Sequence, residues 1–172
     1  SGYVNVTVNT QLQIQVFNDT INWGAGVVES NTSGVFNATL STSNNEDGVV
    51  EWGNWSGADA KAFTVRNTGN INASLKIQSD KDADDLFSGS ADQQGYFINV
   101  TDQGTGSCHN GTGLDVFRTI NKTTDEMFCG TFGFLSGANE VLTNIRLVVP
   151  YDATNTGAIG STITFTGDTA HQ

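Results

Sequence analysis

Apolar and polar side chains alternate along the start of the chain. Val4, Val6, Val8, Leu12, Ile14 and Val16 occupy even positions, broken only by Thr10, while the odd positions from Asn5 to Gln15 are all Asn, Thr or Gln. Period two predicts extended chain with one dry and one wet face. Fourteen such residues at about 3.3 Å each would reach roughly 45 Å, whereas a compact domain of this length is only about 35 Å across. Either the strand bends or its first half belongs to another molecule. The break is expected at Asn9 and Thr10, which leaves 1–9 as an N-terminal arm with its strand over 3–8. Residues 10–172 then form a single domain whose first strand covers 11–17.

Beyond this the pattern is one of short apolar runs separated by Gly, Asn, Asp and Ser. Strands are predicted over 21–23, 27–29, 35–40, 49–52, 62–67, 71–78, 96–101, 116–120, 127–134, 141–149 and 159–166. Many short strands with frequent turn residues point to an all-β sandwich of jelly-roll type. The run Asn67, Thr68, Gly69, Asn70 is expected to be a hairpin turn with positive φ at Gly69 or Asn70. One short helix is predicted: Ser79 caps it, Asp80 and Asp82 occupy its first turn, Leu86 and Phe87 cover the sheet, and Gly89 ends it.

Charge removes several functional classes. The 172 residues carry 18 acidic and 7 basic side chains, a net charge of −11, so no basic face is available for nucleic acid or for an anionic membrane. No window of eighteen apolar residues could span a membrane. No basic and apolar leader opens the chain, so a secretory signal is expected to have been removed already. That expectation of an exterior protein has two supports. Nine asparagines begin an N-x-S/T triplet, namely Asn5, Asn18, Asn31, Asn37, Asn54, Asn72, Asn99, Asn110 and Asn121, where composition alone would give about four, and N-linked glycans are expected. The two cysteines, Cys108 and Cys129, read as one disulfide.

Few residues suggest chemistry. Alternating carboxylates at Asp80, Asp82, Asp84 and Asp85 would suit a hard cation such as calcium, although Asp85 and Ala91 stand where an EF-hand loop has its glycine and its bidentate glutamate. The same four residues also make an ordinary helix-capping cluster. His109 beside Cys108 leaves a zinc site short of ligands, His171 is penultimate, and no Gly-x-Ser-x-Gly elbow is present. The chain is therefore read as a non-enzyme that requires no cofactor. Trp23, Trp52 and Trp55 could stack on sugar rings, which gives an alternative reading as a carbohydrate-binding or adhesion module. They also suit a core or an interface.

An amphipathic strand left free at a terminus seeks a partner. In donor-strand exchange, the arm of one subunit adds to the sheet of the next and every second side chain fills a pocket. Val4, Val6 and Val8 have that spacing, in a donor segment that begins at Tyr3. Two more stretches carry a resemblance: Phe63, Thr64, Val65, Arg66, Asn67, Thr68, Gly69, Asn70 is similar to the strand and turn of secreted archaeal and bacterial sandwich domains. Leu147 to Ala153, followed by Gly157, Gly160 and Thr162 to Phe165, is similar to their closing strands. With the leading strand, the chain resembles TasA-type biofilm-fibre proteins and archaeal bundling pili and threads. The resemblance implies a cell-surface homopolymer of jelly-roll subunits joined head to tail by N-terminal strands; a component of a two-dimensional surface layer is a further alternative.

Overall fold

The computed structural model describes residues 5–29, 34, 36–42, 48–55, 60–111 and 115–169. Its strands are β1 (Ile14–Asn18), β2 (Asn37–Ser41), β3 (Val49–Glu51), β4 (Phe63–Asn67), β5 (Ala73–Ser79), β6 (Gly95–Asp102), β7 (Cys108–His109), β8 (Arg118–Thr119), β9 (Glu126–Phe132), β10 (Glu140–Pro150) and β11 (Ile163–Thr169). Among the described residues one short helix, α1 (Ala83–Phe87), lies between β5 and β6. Two antiparallel sheets pack face to face as an all-β sandwich.

The larger sheet is organised by β10. One side pairs with β6 from Val141↔Asp102 to Val148↔Gly95. Its other side pairs first with β4, over Glu140 to Thr143, and then with β2, over Arg146 to Pro150. The sheet therefore forks, and each branch takes its own neighbour, β1 beside β4 and β3 beside β2. At the fork Thr42 replaces a missing ladder rung: its amide donates to the Ile145 carbonyl at 2.9 Å, and the Ile145 amide donates to the Thr42 hydroxyl at 2.9 Å. Asn144 Nδ2 donates to Asn99 Oδ1 at 2.9 Å. These groups are buried, so each lost bond would leave a polar atom without water.

The smaller sheet runs β11-β5-β9-β7. Ala73, Leu75 and Ile77 of β5 point inward with at most 1% exposure and meet Val65, Ile98, Val100, Phe128, Phe132 and Val141 in one core. Cys108 on β7 and Cys129 on β9 are joined by a disulfide, with Cα atoms 5.5 Å apart. Closing a loop of this length stabilises the fold by about 3 kcal/mol on the chain-entropy account.

From β4 onward every strand lies in the sheet opposite its predecessor. The Asn67–Asn70 run is therefore a corner between layers and not a hairpin turn, and Gly69 does not have positive φ. The helix also starts later than its acidic pattern suggested. Ser79 belongs to the β5 ladder opposite Ile163, and Asp82 is the N-cap, in a capping box with Asp85. Ser88, at φ 47°, ends the helix in place of Gly89. Three expected strands shrink: 21–23 to the bridge residue Asn22, 27–29 to one bridge between Val28 and Gly53, and 116–120 to the two residues of β8.

Candidate functional site

Residues 5–10 are exposed and lie outside every strand, with Val6 at 77% and Val8 at 79% exposure. Tyr3 and Val4 fall outside the described residues. The arm is nevertheless firmly rooted. The Gln13 carbonyl accepts from the Thr68 amide and the Gln11 carbonyl from the Asn70 amide, each at 2.9 Å. The Asn70 side chain then brackets Thr10: Oδ1 accepts from the Gln11 amide at 2.6 Å, and Nδ2 donates to the Asn9 carbonyl at 2.9 Å. Gly69 permits this approach, because a Cβ there would lie 2.3 Å from the Gln11 oxygen.

Buried Asn67 holds the corner itself. Its Nδ2 donates to the carbonyls of Ile71 and Phe132, at 2.9 and 3.2 Å, and its Oδ1 accepts from the Gly69 amide at 3.0 Å. One buried carboxamide thus links both sheets to the turn that carries the arm. Sequence reasoning marked this turn but missed its role, because the partners lie about sixty residues away. The alternating run enters the β4 ladder only at Ile14, three residues later than expected, while Leu12, Ile14 and Val16 pack half-buried against the core.

The body also presents free strand edges. β1 and β11 each pair on one side among the described residues, as do the much shorter β3, β7 and β8. β1 and β11 flank the same side of the sandwich, where Ile14 lies against Gly167. Phe63 and Phe165 meet edge to face nearby, with ring centroids 5.7 Å apart. Ile14, Val16, Phe63, Ile163 and Phe165 are all half-buried at this opening. No charged side chain occurs in residues 1–18 or 153–167.

The acidic cluster is occupied by protein partners. Asp80 Oδ1 accepts from the Ser161 hydroxyl and the Thr162 amide, both at 2.8 Å. Slight burial pushes the Asp80 carboxyl up, but these two donors hold it below its ordinary value. Asp82 caps α1, Asp84 accepts from Gln94, and Asp85 takes Lys122 at 2.8 Å. The Lys122 ammonium and the Asp82 amide lower the Asp85 carboxyl, and Asp85 in turn raises Lys122. Among the described residues no three His, Cys, Asp or Glu side chains are grouped as metal ligands.

No protein-family model, curated protein or solved structure matches this chain. The functional reading rests on its own residues.

The three tryptophans differ in environment. Trp23 packs on the core, Trp55 lies against Gly26 and Gly53, and Trp52 is exposed, at φ 59°. The asparagine triplets differ in access. Asn5, Asn54, Asn72, Asn110 and Asn121 are exposed. Asn18 is half-buried, with Nδ2 donating to the Lys61 and Ala62 carbonyls; Asn37 is also half-buried and donates to Gln93. Asn99 is 7% exposed inside β6, and Asn31 lies outside the described residues. A glycan on Asn99 would have no room in the folded sheet.

Proposed function

We propose that this protein is the structural subunit of an extracellular homopolymeric filament, in which residues 3–8 of one copy add as a β-strand to the sheet of the next. The observation that supports this reading most is that residues 5–10 are exposed and outside every strand, in a stretch whose sequence has valines at 4, 6 and 8, and are rooted in the body by the Asn67–Asn70 corner. Burial of Val4, Val6 and Val8 in a neighbour would contribute about 4 to 9 kcal/mol before the cost of ordering the arm, with backbone pairing in addition. Donor and acceptor surfaces differ, so each contact leaves one free arm and one free edge, and the assembly propagates. The function is mechanical and adhesive, with glycans on exposed asparagines masking the polar surface between contacts.

Deletion of residues 1–9 tests this reading. The full chain is expected to form filaments in negative-stain images and to elute as high-mass species on size-exclusion chromatography, while the shortened chain elutes as a folded monomer. Identical elution and identical images for the two would refute strand donation.

A further inference from the structure

The structure assigns the receiving site for the arm to the seam between β1 and β11, filled by residues 3–8 of a second copy. This inference rests on the strand-donation reading and adds the acceptor to it.

Edge length is the first argument. An incoming segment of six residues needs a comparably long unpaired edge, and among the described residues β11 offers seven residues and β1 five. The other edge strands, β3, β7 and β8, have three, two and two. Side chains are the second. Val16, Ile163 and Phe165 are half-buried at the seam, so the core reaches the surface there, and a strand with valines on one face supplies what would cover it.

Charge gives a third, independent argument. A chain of net charge −11 repels its own copies. No charged side chain occurs from Ser1 to Asn18 or from Ile163 to Gly167; the one charge on β11, Asp168, lies beyond these five residues and is paired with Lys76. By contrast β3 ends in Glu51 and β8 begins with Arg118. A charge on an edge strand discourages pairing with another chain.

The arm cannot serve its own seam. The carbonyls of Gln11 and Gln13 are fixed at alternate positions by Asn70 and Thr68, which keeps 11–13 extended, and Asn70 holds the chain on both sides of Thr10. Residues 3–8 would have to reverse inside this clamp to lie beside β1. A second copy needs no reversal.

Two measurements on full-length protein test the assignment. Single-cysteine variants Thr7→Cys, on the arm, and Thr164→Cys, on the exposed face of β11, are mixed and oxidised; the native cysteines are already paired. The mixed covalent dimer is expected at least tenfold above that from Thr7→Cys with Thr124→Cys, a control on the exposed loop before β9. In unsubstituted protein, amide exchange across 163–167 is expected to slow at least tenfold on assembly. Filaments that form without either effect, or that protect β3, β7 or β8 instead, overturn the seam and leave strand donation standing. Failure of the unsubstituted chain to assemble at all overturns both.

Discussion

Replacing Asn67 by alanine measures what the interlayer corner contributes. The side chain is fully buried and makes three hydrogen bonds, two donated to the Ile71 and Phe132 carbonyls and one accepted from the Gly69 amide. Each contributes about 0.5 to 1.5 kcal/mol net, and Asn67→Ala leaves three backbone partners to find water in a closed site, so a loss of about 3 kcal/mol is expected. For a chain of this length that lowers the melting temperature by about 6 to 12 °C. Urea unfolding followed by tryptophan fluorescence gives the free energy directly. Asn70→Ala is the informative companion, since its side chain is exposed and its hydrogen bonds go to Asn9 and Gln11. That variant should lose at most about 1 kcal/mol of global stability, yet amide exchange at Gln11 should rise to that of free chain. A loss below about 1 kcal/mol for Asn67→Ala would refute the corner as the tie between layers.

Two further outcomes follow from side-chain environments. Asp85 is lowered from its ordinary 3.8 by Lys122 and by the Asp82 amide, so its contribution is present above pH 4 and lost as pH falls further. Lys122 is raised from 10.5, so its share is present below that value and lost as pH rises past it. Asp85→Asn keeps an acceptor for the Asp82 amide and removes the charge; its urea midpoint should lie slightly below that of the unsubstituted chain from about pH 5 to 10 and converge with it towards pH 2 and pH 11, and an unchanged acid limb would contradict the pairing. In protein from a host that glycosylates N-x-S/T sites, peptide mass spectrometry should find Asn99 unmodified beside occupied exposed sites such as Asn72 and Asn121. A glycan on Asn99 in folded protein would show that β6 is not placed as described.

Local pattern revealed the sandwich because most of its strands alternate or run apolar within their own length. Ala73 to Ile77 and Val141 to Ile145 are legible in this way, and both lie in the core. The leading alternation becomes a strand only at Ile14, where it enters the β4 ladder, and the Asn70 side chain brackets the chain at Thr10. What failed was long-range. The turn chemistry of Asn67–Asn70 suits a hairpin as well as an interlayer corner, and the choice depends on β4 having both its edges taken, by β1 and by β10, which leaves β5 no edge to pair with. Ser79 suits a helix cap and Asp80 its first turn, but Ser79 pairs with Ile163 and the Asp80 carboxylate accepts from Thr162 just before β11, which leaves the cap to Asp82. The pair Cys108–His109 shows no period at all, and β7 exists because the disulfide holds it against β9.

Composition and fold meet in the distribution of charge. Strands pair at about 4.8 Å, well inside the screening length of about 8 Å at physiological salt, so a carboxylate at a shared edge would be felt almost unscreened by one opposite it. Eighteen acidic side chains keep copies of this protein apart over most of the surface, and all of them lie between Asp19 and Asp168. The neutral arm precedes that range in the sequence, and the neutral stretch of β11 ends where Lys76 pairs with Asp168 at 2.6 Å. Under strand donation the same acidity that prevents indiscriminate edge pairing leaves one approach without a repulsive term. The selectivity of such an assembly would come from where the charges are absent, and its strength from the alternating valines.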